Sequence, residues 1–383
     1  MAICYAGEVE EIFTTMDIPA VVAQWWSGLI AAKQLSTRYF QLLDSKGYTA
    51  CRYCALGLGC TMDRQQEDAP WGGLPKPTVI VGGQIPSCEC DAAQKITEIW
   101  AREYGAAHYH LEETYPTRDY GRWWERIRDH WDEVIEPHRI DLRVEELKGL
   151  IRFLETSTGR AFSLTRFNEV MQLVNEQNEY LNKVHDLIAT AERCPVSAAE
   201  QLSIYRIQWH RGTKEALDLA RRFYEEVRSR VDRSEAAFAN ERLRLMWIGV
   251  GMWHNTAFYQ YFEDKYGAVF TSTLYLAVAA DGYQRSLKQD PLRALASRSV
   301  FLGLGGPDWC VKEAKLNRID GVVQLVNKSC RESLNTPLTR LALEQAGIPV
   351  LPLYTDNVDP REWDDKHIRS LVERFIEDRL LAR

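Results

Sequence analysis

The stretch Thr78–Gly83, TVIVGG, decides the fold. It is short, apolar and β-branched, and the chain enters it through Pro75 and Pro77, so it reads as a buried strand. Behind it Asp91 can cap a helix in which Ala93, Ile96, Ile99 and Trp100 recur at helical spacing, with Gly105 as the stop. A strand, a short loop and a capped helix make the repeating unit of an α/β fold.

Working outward, the character changes from about Asp119. Helical periodicity covers Trp123 to His138, Arg143 to Thr156, Leu164 to Glu192, Ala198 to His210 and Lys214 to Arg230. Mixed charge runs such as Arg221-Arg222 with Glu225-Glu226 mark solvated helix faces. The α/β pattern returns at Leu243. LMWIGV (Leu245 to Val250), Ala268 to Phe270, DGVVQLV (Asp320 to Val326) and IPVLPLY (Ile348 to Tyr354) read as strands. Thr256 to Lys265, Leu338 to Gln345 and Ile368 to Leu381 read as helices. The expectation is two doubly wound, mainly parallel-sheet lobes with a helical insert between them: 1–118, 119–240 and 241–383.

A chain of 383 residues with 45% hydrophobic and 26% charged residues is long enough for two lobes with a real core. The net charge is −7 and no dense basic run tracks phosphates, which argues against nucleic acid as the main partner. No apolar stretch is long enough to span a bilayer. Met1-Ala2-Ile3-Cys4 lacks a charged segment ahead of an apolar core, and Glu8, Glu10 and Glu11 follow at once, so a cytoplasmic chain is expected.

In a reducing compartment, nine cysteines ask for a reason other than disulfides. Cys51, Cys54, Cys60, Cys88 and Cys90 crowd one segment, whereas Cys194, Cys310 and Cys330 are scattered. Free cysteines are often small core hydrophobes, but a crowd beside glycines and polar residues points to metal. Ligands in open α/β sheets gather where strands end and helices begin. Cys330 follows the strand ending at Val326, Cys90 lies between TVIVGG and the helix capped at Asp91, and Cys51 opens a helical segment ahead of Gly57 and Gly59. Helix N-termini favour thiolates and anionic clusters. Three such thiolates on a [4Fe–4S] cluster would leave one iron without a cysteine.

Three motifs carry a family resemblance. CRYCALGLG (Cys51 to Gly59), CDAAQK (Cys90 to Lys95) and DGVVQLVNKSC (Asp320 to Cys330), followed by GIPVLPLYTDNVDPREWD (Gly347 to Asp364), resemble the cluster-carrying subunits of benzoyl-CoA reductase and the related 2-hydroxyacyl-CoA dehydratases. RGTKEALDLARRFYEEVRSR (Arg211 to Arg230) and the glycine-Trp253 turn are similar as well, so the likeness runs through nearly the whole chain. Its nearest resemblance is to the larger of the two cluster subunits of benzoyl-CoA reductase. Cys88 precedes Cys90 by two residues and is the alternative second ligand; Cys54 stands where a basic or apolar residue is more usual, and could line the cluster pocket without ligating.

The resemblance implies a [4Fe–4S] cluster on Cys51, Cys90 and Cys330, a homologous second cluster-carrying subunit, and a separate ATP-hydrolysing iron–sulfur activator. It implies a coenzyme A thioester as substrate, with an aromatic acyl-CoA reduced to a cyclic diene by stepwise electron and proton transfer. Such chemistry needs a low-potential donor, a dry pocket and a nearby proton source. Trp253 is then the candidate acyl-pocket wall, and His254 either a proton donor or a helix-start residue bonded to backbone. Lys328 either offsets cluster charge or faces solvent. Within the family the alternative is a radical 2-hydroxyacyl-CoA dehydratase. Outside this activity stand a non-catalytic electron-transfer or scaffold subunit, and a zinc protein using some of the same cysteines.

Overall fold

A computed structural model of the chain describes residues 1–5, 9–48, 51–63, 65–83, 91–112, 114, 121–288, 290–300, 306–327, 329–330 and 336–382. Two four-stranded parallel sheets organise it. The first runs β2 (Ala20–Val22), β1 (Ala2–Cys4), β3 (Val79–Gly83), β4 (Ala107–Leu111); the second runs β6 (Ala268–Thr273), β5 (Leu243–Ile248), β7 (Gly321–Val326), β8 (Val350–Tyr354). Every pairing is parallel, in register from Ile3 with Ile80 in one sheet and from Val322 with Val350 in the other. The expected α/β architecture with helices between the sheets is what forms.

Burial explains the strand sequences. The inner strands β1, β5 and β7 are covered on both faces and read as nearly unbroken apolar runs. The edge strands β2 and β4 are more open. β6 is an edge strand too, yet it is buried throughout, because Gln201 of the helix Ala198–Ile204 lies against it and donates from Nε2 to the Thr271 carbonyl at 3.1 Å.

Both sheets share one strand order, in which the chain steps outward and then crosses back. The reversal falls between β1 and β3 in one lobe and between β5 and β7 in the other, and such switch points open crevices at the strands' carboxyl ends. Between the sheets in sequence stand the helices Pro137–Thr158, Leu164–Thr190 and Lys214–Asp232. Ser163 and Thr213 cap the latter two, accepting from the amides of Arg166 and Ala216. One apolar cluster runs from Val79 and Val81 through Leu147 and Leu150 to Met246 and Val322, joining both sheets to the helical section.

The expected helix Trp123 to His138 does not form as one piece. A 3-10 turn (Trp123–Glu125) and a short helix (Trp131–Val134) precede a new helix that starts at Pro137. Proline has no amide hydrogen to give a preceding turn and disfavours helical backbone at Glu136, which is extended at φ −61°, ψ 128°. Proline at the first helical position then starts the 22-residue helix that absorbs Arg143 to Thr156. The run Ala198 to His210 likewise tightens into a 3-10 segment from Tyr205. Among the described residues no helix is long and apolar enough to cross a membrane.

Candidate metal centre

The helix Arg52–Met62 starts at Cys51, whose carbonyl accepts the first helical bond from the Ala55 amide at 2.9 Å. The helical segment expected ahead of Gly57 and Gly59 continues through both, because the glycines let bulky neighbours come close. A Cβ on Gly57 would stand 2.5 Å from the Trp100 ring, and one on Gly59 would stand 3.0 Å from the Tyr39 carbonyl. Trp100 is anchored in turn by its Nε1–H donating to Thr61 Oγ1 at 2.7 Å. Cys51 and Cys54 are buried in the apolar cluster that these side chains form, and Trp253 and Cys330 of the second lobe pack against it.

Cys330 comes from the turn after β7. Its amide donates to the Asn327 carbonyl at 3.0 Å, and Asn327 Oδ1 accepts from the Ser329 amide at 3.0 Å. Asn327 Nδ2 donates to Asn357 Oδ1 at 2.8 Å, tying this turn to the loop after β8. Ser329 bridges the lobes: its Oγ accepts from the Arg52 amide at 3.4 Å and lies 3.2 Å from Asp356 Oδ2.

These turns bring the Cys51 sulfur into hydrogen-bond reach of the sulfurs of Cys330 and Cys54. The Cys330 contact, then Cys54 and the amides of Cys54 and Tyr53, hold the Cys51 thiol well below its ordinary range despite burial. Elsewhere burial does the reverse. The Cys194 thiol is pushed up to about 12 and donates to the Val196 carbonyl at 3.0 Å, as an inert core thiol does.

Asp356 is the site residue that motif reading passed over. It is buried, and its Oδ1 accepts from the amides of Val358 and Asp359, each at 2.9 Å. Burial raises its carboxyl above the usual range, helped by the charges of Asp359 and Cys51. His254 lies behind it. The His254 Nε2 is 3.1 Å from the Asp356 carbonyl, an acceptor only, so this nitrogen carries the hydrogen. Burial lowers the His254 pKa, so the ring is held neutral, edge-on to Trp363. Trp253 wedges into the lobe junction. Its Nε1–H donates to Tyr53 Oη at 3.2 Å, its amide to the Asn357 carbonyl at 3.0 Å, and its ring meets Gly28 of the first lobe.

Of the residues singled out in the sequence, Cys51, Cys330, Trp253 and His254 therefore gather at the carboxyl ends of β5, β7 and β8. Cys88, Cys90 and Lys328 lie outside the described residues. Among the described residues no group of three or more His, Cys, Asp or Glu side chains is arranged to hold a metal ion. The donors that do meet are soft thiols at a helix start and a strand end, which suits iron–sulfur better than a hard cation. An open cavity of about 140 Å³ lined by Phe40, Leu43, Tyr48, Arg52 and Ser329 reaches from the surface to the neighbours of both sulfurs.

Residues 9–378 match the model of the family described as 2-hydroxyglutaryl-CoA dehydratase, D-component. The chain is 21% identical to the (R)-2-hydroxyisocaproyl-CoA dehydratase alpha subunit of Clostridioides difficile, over 97% of this chain and 88% of that protein. It is also 21% identical to the lactoyl-CoA dehydratase subunit alpha of Anaerotignum propionicum, over 98% of this chain and 90% of that protein. Both relatives are dehydratases, so the comparisons favour that branch over the reductase branch that the motifs resembled first. Matched over nearly its full length, the chain belongs to the 2-hydroxyglutaryl-CoA dehydratase D-component family.

Proposed function

We propose that this chain is the alpha-type subunit of a 2-hydroxyacyl-CoA dehydratase and that it binds one [4Fe–4S] cluster through Cys51, Cys330 and Cys90, with Cys88 as the alternative to Cys90. The observation that carries the reading is the meeting of the Cys51 and Cys330 sulfurs, brought from two lobes to one lobe junction. When bound, such a cluster supplies one-electron chemistry and an iron corner free of cysteine. The chain's own part is positioning and exclusion of water. The Trp253 ring and Tyr53 close the junction, while Asn327, Ser329 and Asp356 hold the Cys330 turn against the helix that begins at Cys51. His254 uses its Nε2 hydrogen to fix the Asp356 backbone.

The substrate on this reading is a 2-hydroxyacyl-CoA, which loses water to give a 2-enoyl-CoA. The partners are a homologous second subunit and an ATP-hydrolysing iron–sulfur activator. An aromatic acyl-CoA reductase remains the second reading, supported by the motifs at Cys51 to Gly59 and Asp320 to Cys330. Anaerobic assays of the assembled enzyme with activator and ATP separate the two. Dehydration of a hydroxyacyl-CoA with ATP needed only to start turnover supports the dehydratase. Ring reduction of benzoyl-CoA with ATP consumed at every turnover, and no dehydration, would overturn it.

A further inference from the structure

Next to the sulfurs sits a charge arrangement that crosses the lobe junction. Asp359, in the loop after β8, is fully buried. Arg52 Nη1 reaches its Oδ2 at 2.7 Å. Arg361 grips the same carboxylate with Nε at 2.9 Å from Oδ1 and Nη2 at 2.7 Å from Oδ2, and its Nη1 reaches Asp44 Oδ2 in the first lobe at 2.9 Å. Both guanidinium carbons stand over the Phe40 ring, 5.3 and 5.4 Å from its centre. Two carboxylates thus meet two guanidiniums on one aromatic platform, and the group is neutral as a whole.

Its place in the chain gives it consequence. Arg52 is the residue after Cys51 and the first of the helix. The Asp359 amide donates to Asp356 Oδ1 at 2.9 Å, and Asp356 Oδ2 lies 3.2 Å from the Oγ of Ser329, the neighbour of Cys330. Asp359 is therefore linked to the Cys51 end through its carboxylate and Arg52, and to the Cys330 end through its backbone amide by way of Asp356 and Ser329. Buried pairs of this kind add little net stability against an apolar replacement, but the planar fork fixes direction and distance.

We propose that Asp359, gripped by Arg52 and Arg361 over Phe40, is a positioning residue that holds the Cys51 and Cys330 sulfurs together across the lobe junction. It rests on the proposed function only in its consequence for the cluster; the sulfur geometry is testable alone. In the iron-free chain, mild oxidation with diamide closes a Cys51–Cys330 disulfide, quantified by peptide mapping. With Asp359→Asn or Arg52→Gln, closure slows by about tenfold or more, because reactivity between held groups follows their alignment. Arg52→Lys, which keeps the charge, restores part of the rate. Arg52→Gln leaves Asp359 paired with Arg361, so it stays testable should Asp359→Asn fail to fold. After anaerobic reconstitution, the same variants bind less iron and shift the electron paramagnetic resonance signal of the reduced cluster. Unchanged closure rates in both folded variants overturn the proposal. Slowed closure in a chain whose wild type takes up no iron supports the clamp and counts against the cluster reading instead.

Discussion

Glu263 is buried in the helix Phe258–Tyr266, and its Oε1 has no hydrogen-bond partner among the described residues. Burial pushes its carboxyl up to about 8 from an ordinary 4.5. The unfolded chain releases this proton near 4.5 and the folded chain only near 8, so the folded state binds more protons between the two values. Stability therefore falls as pH rises through that window and is level above it. Glu263→Gln should raise stability at pH 7 by about 2–3 kcal/mol and flatten this slope, as measured by urea unfolding across pH. A destabilised variant with the slope intact would contradict the assignment. The residue scale also shows what the sequence could disclose of the site. Cys51 and Cys330 were legible because a helix start and a strand end can be read locally, and because their motifs resemble a family. Asp356, Asp359 and Ser329 were not, since they acquire partners only when loops from different lobes meet. For Trp253 and His254 the strand-end placement was legible, and bonding to backbone was one of the two readings of His254, but the partners Tyr53 and Asp356 were not.

The helix Arg52–Met62 is the element on which the centre depends, and Gly57 sets its depth. Alanine in an exposed helix interior gains about 1 kcal/mol over glycine. Here the added methyl would lie 2.5 Å from the Trp100 ring and 3.1 Å from Trp26, both buried. Overpacking costs about 1–3 kcal/mol, so Gly57→Ala should lower the melting temperature, and cluster uptake should fall with it. A raised melting temperature would show that the helix has room to move. Among the elements, the strands within TVIVGG, LMWIGV, DGVVQLV and IPVLPLY announced themselves as apolar runs between turn residues. The three-residue strands Ala2–Cys4 and Ala20–Val22 did not, because so short a run shows no period. The half-open β4 carries two histidines, which blur its pattern. Pro137 starts a helix, yet the helical spacing runs straight through it to His138, with a second run only from Arg143.

Across the whole molecule, a buried ionic junction ties the parts together. Glu11, in the helix after β1, accepts from Arg211 Nε at 2.7 Å and from Arg298 Nη1 and Nη2 at 2.7 Å each. Arg211 also pairs with Glu10 at 2.8 Å, and both guanidiniums stand over the Tyr283 ring. Although burial pushes the Glu11 carboxyl up, the two arginines hold it down at about 2. Its contribution is thus present above an ordinary carboxyl value near 4.5 and lost as pH falls toward 2. Glu11→Gln leaves buried guanidiniums short of charge and should cost about 3–5 kcal/mol at pH 7, with a weaker acid dependence. Equal stability at pH 7 would mean that the junction is dispensable. At this scale the two-lobe α/β architecture was readable from alternating strands and helices, whereas the charged residues that lock the lobes were indistinguishable from solvated ones. The proposed dehydratase chemistry depends on Cys51 and Cys330 sharing an iron–sulfur cluster. Iron analysis with Mössbauer spectroscopy on the anaerobically reconstituted chain tests this directly. The expected result is about four irons per chain in the wild type, lost in Cys51→Ser, Cys330→Ser and Cys90→Ser but kept in Cys194→Ser and Cys310→Ser. A full iron complement in both Cys51→Ser and Cys330→Ser would contradict it.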